Sequence, residues 1–179
     1  MRKLKYYVAC SVDGFIAHED GSFDGFCFDG EPVRDYLESL KQFDTVLMGR
    51  KTYEVGLKEG KTDPYPMMES FIFSRTMARS PDPRVTLVSE NIGEFVRNLK
   101  QKTGKDIYLC GGANLATQMF LENLIDEIIL KINPFIMGTG IPLFSGAIAP
   151  TQLELIQSKI YDNGVSFMDY RVISTSVNV

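Results

Sequence analysis

The sequence contains no tryptophan and a single histidine, His18. One imidazole cannot build a site that needs two or three, and no Cys/His grouping has zinc spacing. A Ser-His-Asp triad would have to use His18, which stands in a loop rich in Asp and Gly with no nucleophile-elbow pattern nearby. Cysteine is scarce as well. Cys10, Cys27 and Cys110 are an odd set without paired spacing, and read as reduced thiols of a cytoplasmic protein rather than a disulfide framework. No apolar run approaches the roughly 20 residues of a membrane span, and that of "MRKLKYYVACSVDG" is too short for a signal peptide. The net charge of −4, with no basic patch or tail, argues against nucleic acid as the main partner.

What is present is typical of a soluble globular protein: 44% apolar and 23% charged residues in a chain of 179. That length suits one domain, residues 1–179, with a full core. "LKYYVAC" (Leu4–Cys10) predicts a short buried strand, and the glycine- and aspartate-rich segment that follows is longer than an idle loop usually is. "EPVRDYLESLKQF" places Val33, Tyr36, Leu37 and Leu40 on one helical face, with Pro32 in the first turn. "DTVLMG" and "RKTYEVGL" form a strand and a short helix; "ESFIFS" and "RVTLVS" are two more strands. "NIGEFVRNLKQKTG" is an amphipathic helix stopped by Gly104. After it come the strand "DIYLC", the helix "GGANLATQMFLENL" and the strand "DEIILKINPFI". The tail, "LELIQSKIYDNGVSFMDYRVI", predicts a hairpin around an Asn163-Gly164 turn. Alternating strands and helices up to about Asp126 imply a mostly parallel sheet covered on both faces, with the hairpin adding antiparallel strands at one edge.

Ligands of such sheets bind outside the carboxyl ends of the strands. Two strand-to-helix turns lie there. In "LMGRKT", Gly49 precedes Arg50, Lys51 and Thr52; in "LCGGANL", Cys110 precedes Gly111, Gly112, Ala113, Asn114 and Leu115. A helix N-terminus offers free N–H groups and a positive dipole end to an anion, and glycine lets that anion approach the backbone. Two such turns on one sheet edge suit a ligand with several phosphates, such as a dinucleotide; a tight connection and a solvated Arg-Lys pair are the alternatives without a ligand. Better-known patterns do not fit: "VGLKEGKT" has Val55 where a P-loop needs glycine, and "GTGIPL" has Leu143 where a third Rossmann glycine would fall.

"SVDGFIA", "VLMGRKTYE", "IFSRT", "IYLCGGANL" and "DEIILKINPFIMGTGIPLF", in that order, resemble the dihydrofolate reductase-like superfamily. The branch they resemble is that of bacterial stand-alone proteins related to the reductase domain of riboflavin biosynthesis. The resemblance implies a three-layer α/β fold, with a mostly parallel central sheet, helices on both faces and a C-terminal antiparallel β-hairpin. It also implies NADPH. Gly49, Arg50, Lys51 and Thr52 would hold phosphates, with the 2′-phosphate near Arg50 or Arg75, and Ser74, Arg75 and Thr76 would flank the adenine ribose. Residues from Cys110 through Gly111, Gly112, Ala113 and Asn114 to Leu115 would wrap the pyrophosphate, with a cis peptide between the two glycines. Ala9 and Ile16 would line the nicotinamide, and the glycine-rich segment 20–30 would act as a lid.

A small-molecule substrate, pterin-like or ribosylaminopyrimidine-like, follows from the same resemblance, and a homodimer through the edge hairpin stays open. The carboxylate that dihydrofolate reductases carry on the first long helix falls near Val33, which weakens a true dihydrofolate reductase. Asp29, Glu31 and Asp35 are its neighbours, and they double as caps or surface charge. Lys131 faces either the pocket or solvent, and Asp13 suits loop ordering better than proton transfer. The remaining alternative is a nucleotide-binding protein without catalysis.

Overall fold

The patterned segments assemble around one central sheet in a computed structural model that describes residues 1–173. In chain order the elements are β1 (Leu4–Ser11), β2 (Phe15–Ala17), α1 (Gly30–Ser39), β3 (Phe43–Gly49), α2 (Arg50–Lys58), β4 (Glu69–Phe73) and β5 (Val85–Val88). They continue with α3 (Ile92–Gln101), β6 (Asp106–Gly111), α4 (Ala113–Leu121), β7 (Glu127–Asn133), β8 (Ile141–Pro142), β9 (Leu153–Ile160) and β10 (Ser166–Val172). The main sheet has eight strands in the order β5-β4-β3-β6-β1-β7-β10-β9. The pairs from β5 to β7 are parallel, and β10 joins β7 and β9 in antiparallel fashion.

Val46, Leu47 and Met48 are each at most 1% exposed, because β3 is covered on both faces. Leu47 packs with Leu115, Ala116 and Met119 of α4 and Val96 and Leu99 of α3. Val46 and Met48 pack on the other face with Tyr53 of α2 and Leu40, which follows α1. A strand buried on both sides has no polar face to show, hence the unbroken apolar run. Each such side chain contributes about 1.5–3 kcal/mol by burial.

The terminal hairpin turns through Asp162-Asn163-Gly164, around the expected Asn163-Gly164. Tyr161 N–H donates to Val165 O, Gly164 N–H donates to Tyr161 O, and Gly164 takes the left-handed φ of 80° that closes such a loop. β2 and β8 also pair with each other. At three and two residues they are too short to show a period in sequence, yet they tie the segment after β1 to the segment after β7.

At the amino ends of the strands lies a buried charge cluster. Lys5 Nζ reaches Glu127 at 2.9 Å, Asp106 at 3.2 Å and Gln42 at 3.0 Å. Asp169 on β10 joins it poorly: its Oδ1 is buried and accepts no hydrogen bond. Burial, and then the charge of Glu127, raise its carboxyl pKa. A raised native pKa means full stability below the unfolded value, about 3.9, and a loss as pH climbs through the native one. Asp169→Asn is therefore expected to stabilise the protein at pH 7, and the gain should vanish near pH 3, as read by urea unfolding at both pH values. An equal gain at both would contradict this.

Candidate functional site

β3 and β6 are neighbours, with Met48 opposite Gly111, but their outgoing helices α2 and α4 pack on opposite faces of the sheet. A crevice opens where successive helices diverge like this. Both anion-type turns stand in it, back to back. A Cβ on Gly49 would lie 3.5 Å from Gly112 N and 3.6 Å from Gly111 O, and one on Gly112 would lie 3.2 Å from Thr52 Oγ1. Side chains at these positions would fill the space in which the two turns meet. Gly49 and Gly112 are the N-caps of α2 and α4, and neither helix has a side-chain cap. The first N–H groups of both helices are thus left for a ligand. Gly111 adopts φ 119° and its bond to Gly112 is cis.

The crevice belongs to a cleft of about 1940 Å³. Of the residues expected at a cofactor, all but Gly111 line it. Arg50 sits at its edge in an ion pair with Glu54, Nη1 to Oε1 at 2.6 Å, with both side chains part-exposed. Such a pair holds the guanidinium in place at little energetic gain and yields easily to a phosphate. Ser74 is tied up locally, since its Oγ accepts from Thr76 N–H at 3.2 Å and Met77 N–H at 2.9 Å. It shapes the turn after β4 while Arg75 and Thr76 face the cleft.

Among the five acid–base candidates, Lys131 alone lines the cleft. It is 8% exposed, and burial lowers its pKa. Its ammonium donates to Cys27 O, and Asn133 Oδ1 accepts from Cys27 N–H at 2.9 Å. The glycine-rich segment is thereby fastened at Cys27 by both backbone groups. Glu31 and Asp35 lie outside, held by Lys159 Nζ at 2.7 and 2.6 Å, and Asp35 also accepts from Tyr161 O–H at 2.7 Å. Asp29 is the exposed N-cap residue of α1 and makes no side-chain cap bond. His18 remains a loop residue, with Nε2 3.0 Å from Asp24 O.

Asp13 clamps a distant loop. Its carboxylate accepts from Met137 N–H at 3.0 Å, Gly138 N–H at 2.8 Å and Ser11 O–H at 2.6 Å. These bonds, that from Met137 first, hold its pKa down to about 2. Sequence reasoning did not single out several wall residues, among them Tyr65, Tyr108 and, at the start of α3, Asn91 with its left-handed φ of 49°. "PYP" around Tyr65 carried no periodic signal, and Tyr108 looked like ordinary strand filling.

Fold and site together define a dihydrofolate reductase-like α/β protein with a cleft at the carboxyl ends of its parallel strands. A family model, the RibD C-terminal domain, matches residues 2–167, and the chain belongs to that family. The Bacillus subtilis (strain 168) protein YwjB, itself uncharacterized, is 36% identical over 165 residues, 92% of this chain and 95% of YwjB. YyaP of the same organism, also uncharacterized, is 31% identical over 175 residues, 92% of each chain. A solved protein of Shewanella sp. PV-4 named for riboflavin biosynthesis superposes with a TM-score of 0.82 at 25% identity, covering 97% of this chain and 99% of that one. The Thermotoga maritima diaminohydroxyphosphoribosylaminopyrimidine deaminase/5-amino-6-(5-phosphoribosylamino)uracil reductase shares the fold. Its TM-score is 0.72 at 16% identity, over 96% of this chain and 57% of that longer one.

Asp13→Ala should speed amide exchange at Met137 and Gly138 by about tenfold or more while leaving β7 protected. A depressed carboxyl pKa means the wild-type clamp is present above the unfolded value and is lost only as pH falls through about 2. Wild-type protection at these amides should accordingly persist from neutral pH to about pH 3. Unchanged exchange in the variant would contradict the clamp.

Proposed function

We propose that the chain is an NADPH-dependent reductase of a small pterin-like or ribosylaminopyrimidine-like molecule, acting as one domain of residues 1–179. The observation that carries this reading is the contact of the Gly49 and Gly112 turns, which aims two uncapped helix N-termini into one crevice. The residues present fit a dinucleotide diphosphate: bare glycine backbone and the Thr52 hydroxyl meet there. Membership of the RibD C-terminal domain family supports NADPH in particular.

A nicotinamide bound in the cleft would supply the hydride. The chain's own part is to bind and orient. Gly49 to Thr52 and Gly112 to Leu115 hold phosphates by backbone N–H groups. Arg50 and Arg75 favour a ligand with the extra 2′-phosphate. Ala9 and Ile16 present an apolar wall to the ring, and Phe26 and Phe28 help to keep water away from the other end of the cleft. Lys131 is positioned to stabilise negative charge on a substrate heteroatom. It is the one candidate acid–base residue on the wall.

The free Cys10, Cys27 and Cys110 support a cytoplasmic setting. Among the described residues no helix is long and apolar enough to cross a membrane. β9, exposed along its whole length, is the edge through which a homodimer would form.

Titration with NADPH and NADH, followed by nicotinamide fluorescence, tests the proposal. NADPH should bind at least about tenfold more tightly, and Arg50→Ala should remove most of that difference, in line with a charge-assisted phosphate contact. If neither cofactor binds at millimolar concentration, the reductase reading falls.

A further inference from the structure

Tyr36 from α1, Tyr65 from the loop before β4, and Tyr108 and Cys110 from β6 all line the cleft. The Tyr36 hydroxyl lies 3.1 Å from that of Tyr108 and 3.4 Å from that of Tyr65, whose oxygen is 3.5 Å from Cys110 Sγ. A proton count decides what this cluster can offer. Three phenols and a thiol carry four X–H donors. Their three mutual contacts consume three of these, whichever way each bond points. One donor is left over, and among the described residues no carboxylate bonds to any of the four groups.

Burial raises the pKa of Tyr36, Tyr65, Tyr108 and Cys110 alike. All four keep their protons at neutral pH, so the cluster is an uncharged donor. Phe28, Leu37 and Met67 also line the cleft, yet they are 69%, 57% and 67% exposed. Large apolar side chains left open together around a cavity mark a contact surface for something apolar.

We propose that the Tyr36–Tyr65–Tyr108–Cys110 cluster anchors the substrate, seating a carbonyl oxygen or ring nitrogen of an uncharged planar ring whose faces pack against Phe28, Leu37 and Met67. This rests on the reductase reading and narrows its substrate class. A ring with a basic amidine edge would want a carboxylate beside it; Glu19, Asp20 and Glu54 are among the acids that line the cleft, but among the described residues no carboxylate hydrogen-bonds to the phenol cluster. A neutral acceptor takes the leftover proton without burying a charge.

Two bicyclic probes of one shape separate these chemistries: 2-quinolone, with an acceptor carbonyl, and 2-aminoquinoline, with a basic amidine edge. Each is titrated into the protein by calorimetry, with and without saturating NADPH. 2-Quinolone should bind at least about tenfold more tightly, and Tyr36→Phe and Tyr65→Phe should each weaken it about five- to tenfold, the loss of one hydrogen bond. NADPH affinity should stay at the wild-type value in both variants and the melting temperature should fall by no more than about 4 °C, which separates anchoring from a structural role. Equal binding of the two probes, preference for 2-aminoquinoline, no binding of 2-quinolone, or indifference to both substitutions would overturn the anchor. Failure of NADPH itself to bind wild-type protein would overturn the reductase reading instead.

Discussion

Where β3 and β6 run side by side, the turns that follow them meet: a Cβ on Gly49 would touch the backbone of Gly111 and Gly112, and one on Gly112 would press on Thr52 Oγ1. This approach is what the rest of the site depends on. The helices that leave these strands diverge to opposite faces, so their positive ends stay adjacent while their bodies part. Each end alone would be a weak anion site at a solvated surface. Side by side, with Thr52 at one lip and Arg50 at the edge, they form a cradle of a length that suits linked phosphates.

The other end of the cleft is built by side chains that bond to backbone. Asn133 and Lys131 fasten Cys27, and Asp13 fastens Met137 and Gly138. The β2–β8 pair completes this stitching. Loops that would otherwise be solvated become walls, and the buried polar atoms that hold them are satisfied. The segment expected to act as a lid, residues 20–30, is therefore fastened at Cys27, with Phe23 and Phe26 in edge-on aromatic contact before it. The phenol cluster lines the same cleft and offers neutral donors.

The fold could be read from the sequence because its strongest signals are local. Val46-Leu47-Met48 announces a strand covered on both faces, and the glycine turns announce the carboxyl ends of β3 and β6. The DNG tripeptide marks the hairpin, although the number of turn residues depends on which strand residues pair, and that is set across the sheet. The partners of Glu31 and Asp35 could not be read at all. Lys159 and Tyr161 come more than a hundred residues later, and only the folded hairpin brings them over α1. The phenol cluster was hidden for a similar reason. Tyr36, Tyr65 and Tyr108 belong to a helix, a loop and a strand, and nothing in their spacing shows that their hydroxyls meet.

Hydrogen–deuterium exchange of the protein with and without NADPH tests the central claim, that the two glycine turns form one cradle. Simultaneous protection of the amides at Arg50–Thr52 and Ala113–Leu115, with β9 unchanged, is the expected result. Protection at one turn alone, or at neither while NADPH is bound, would contradict it.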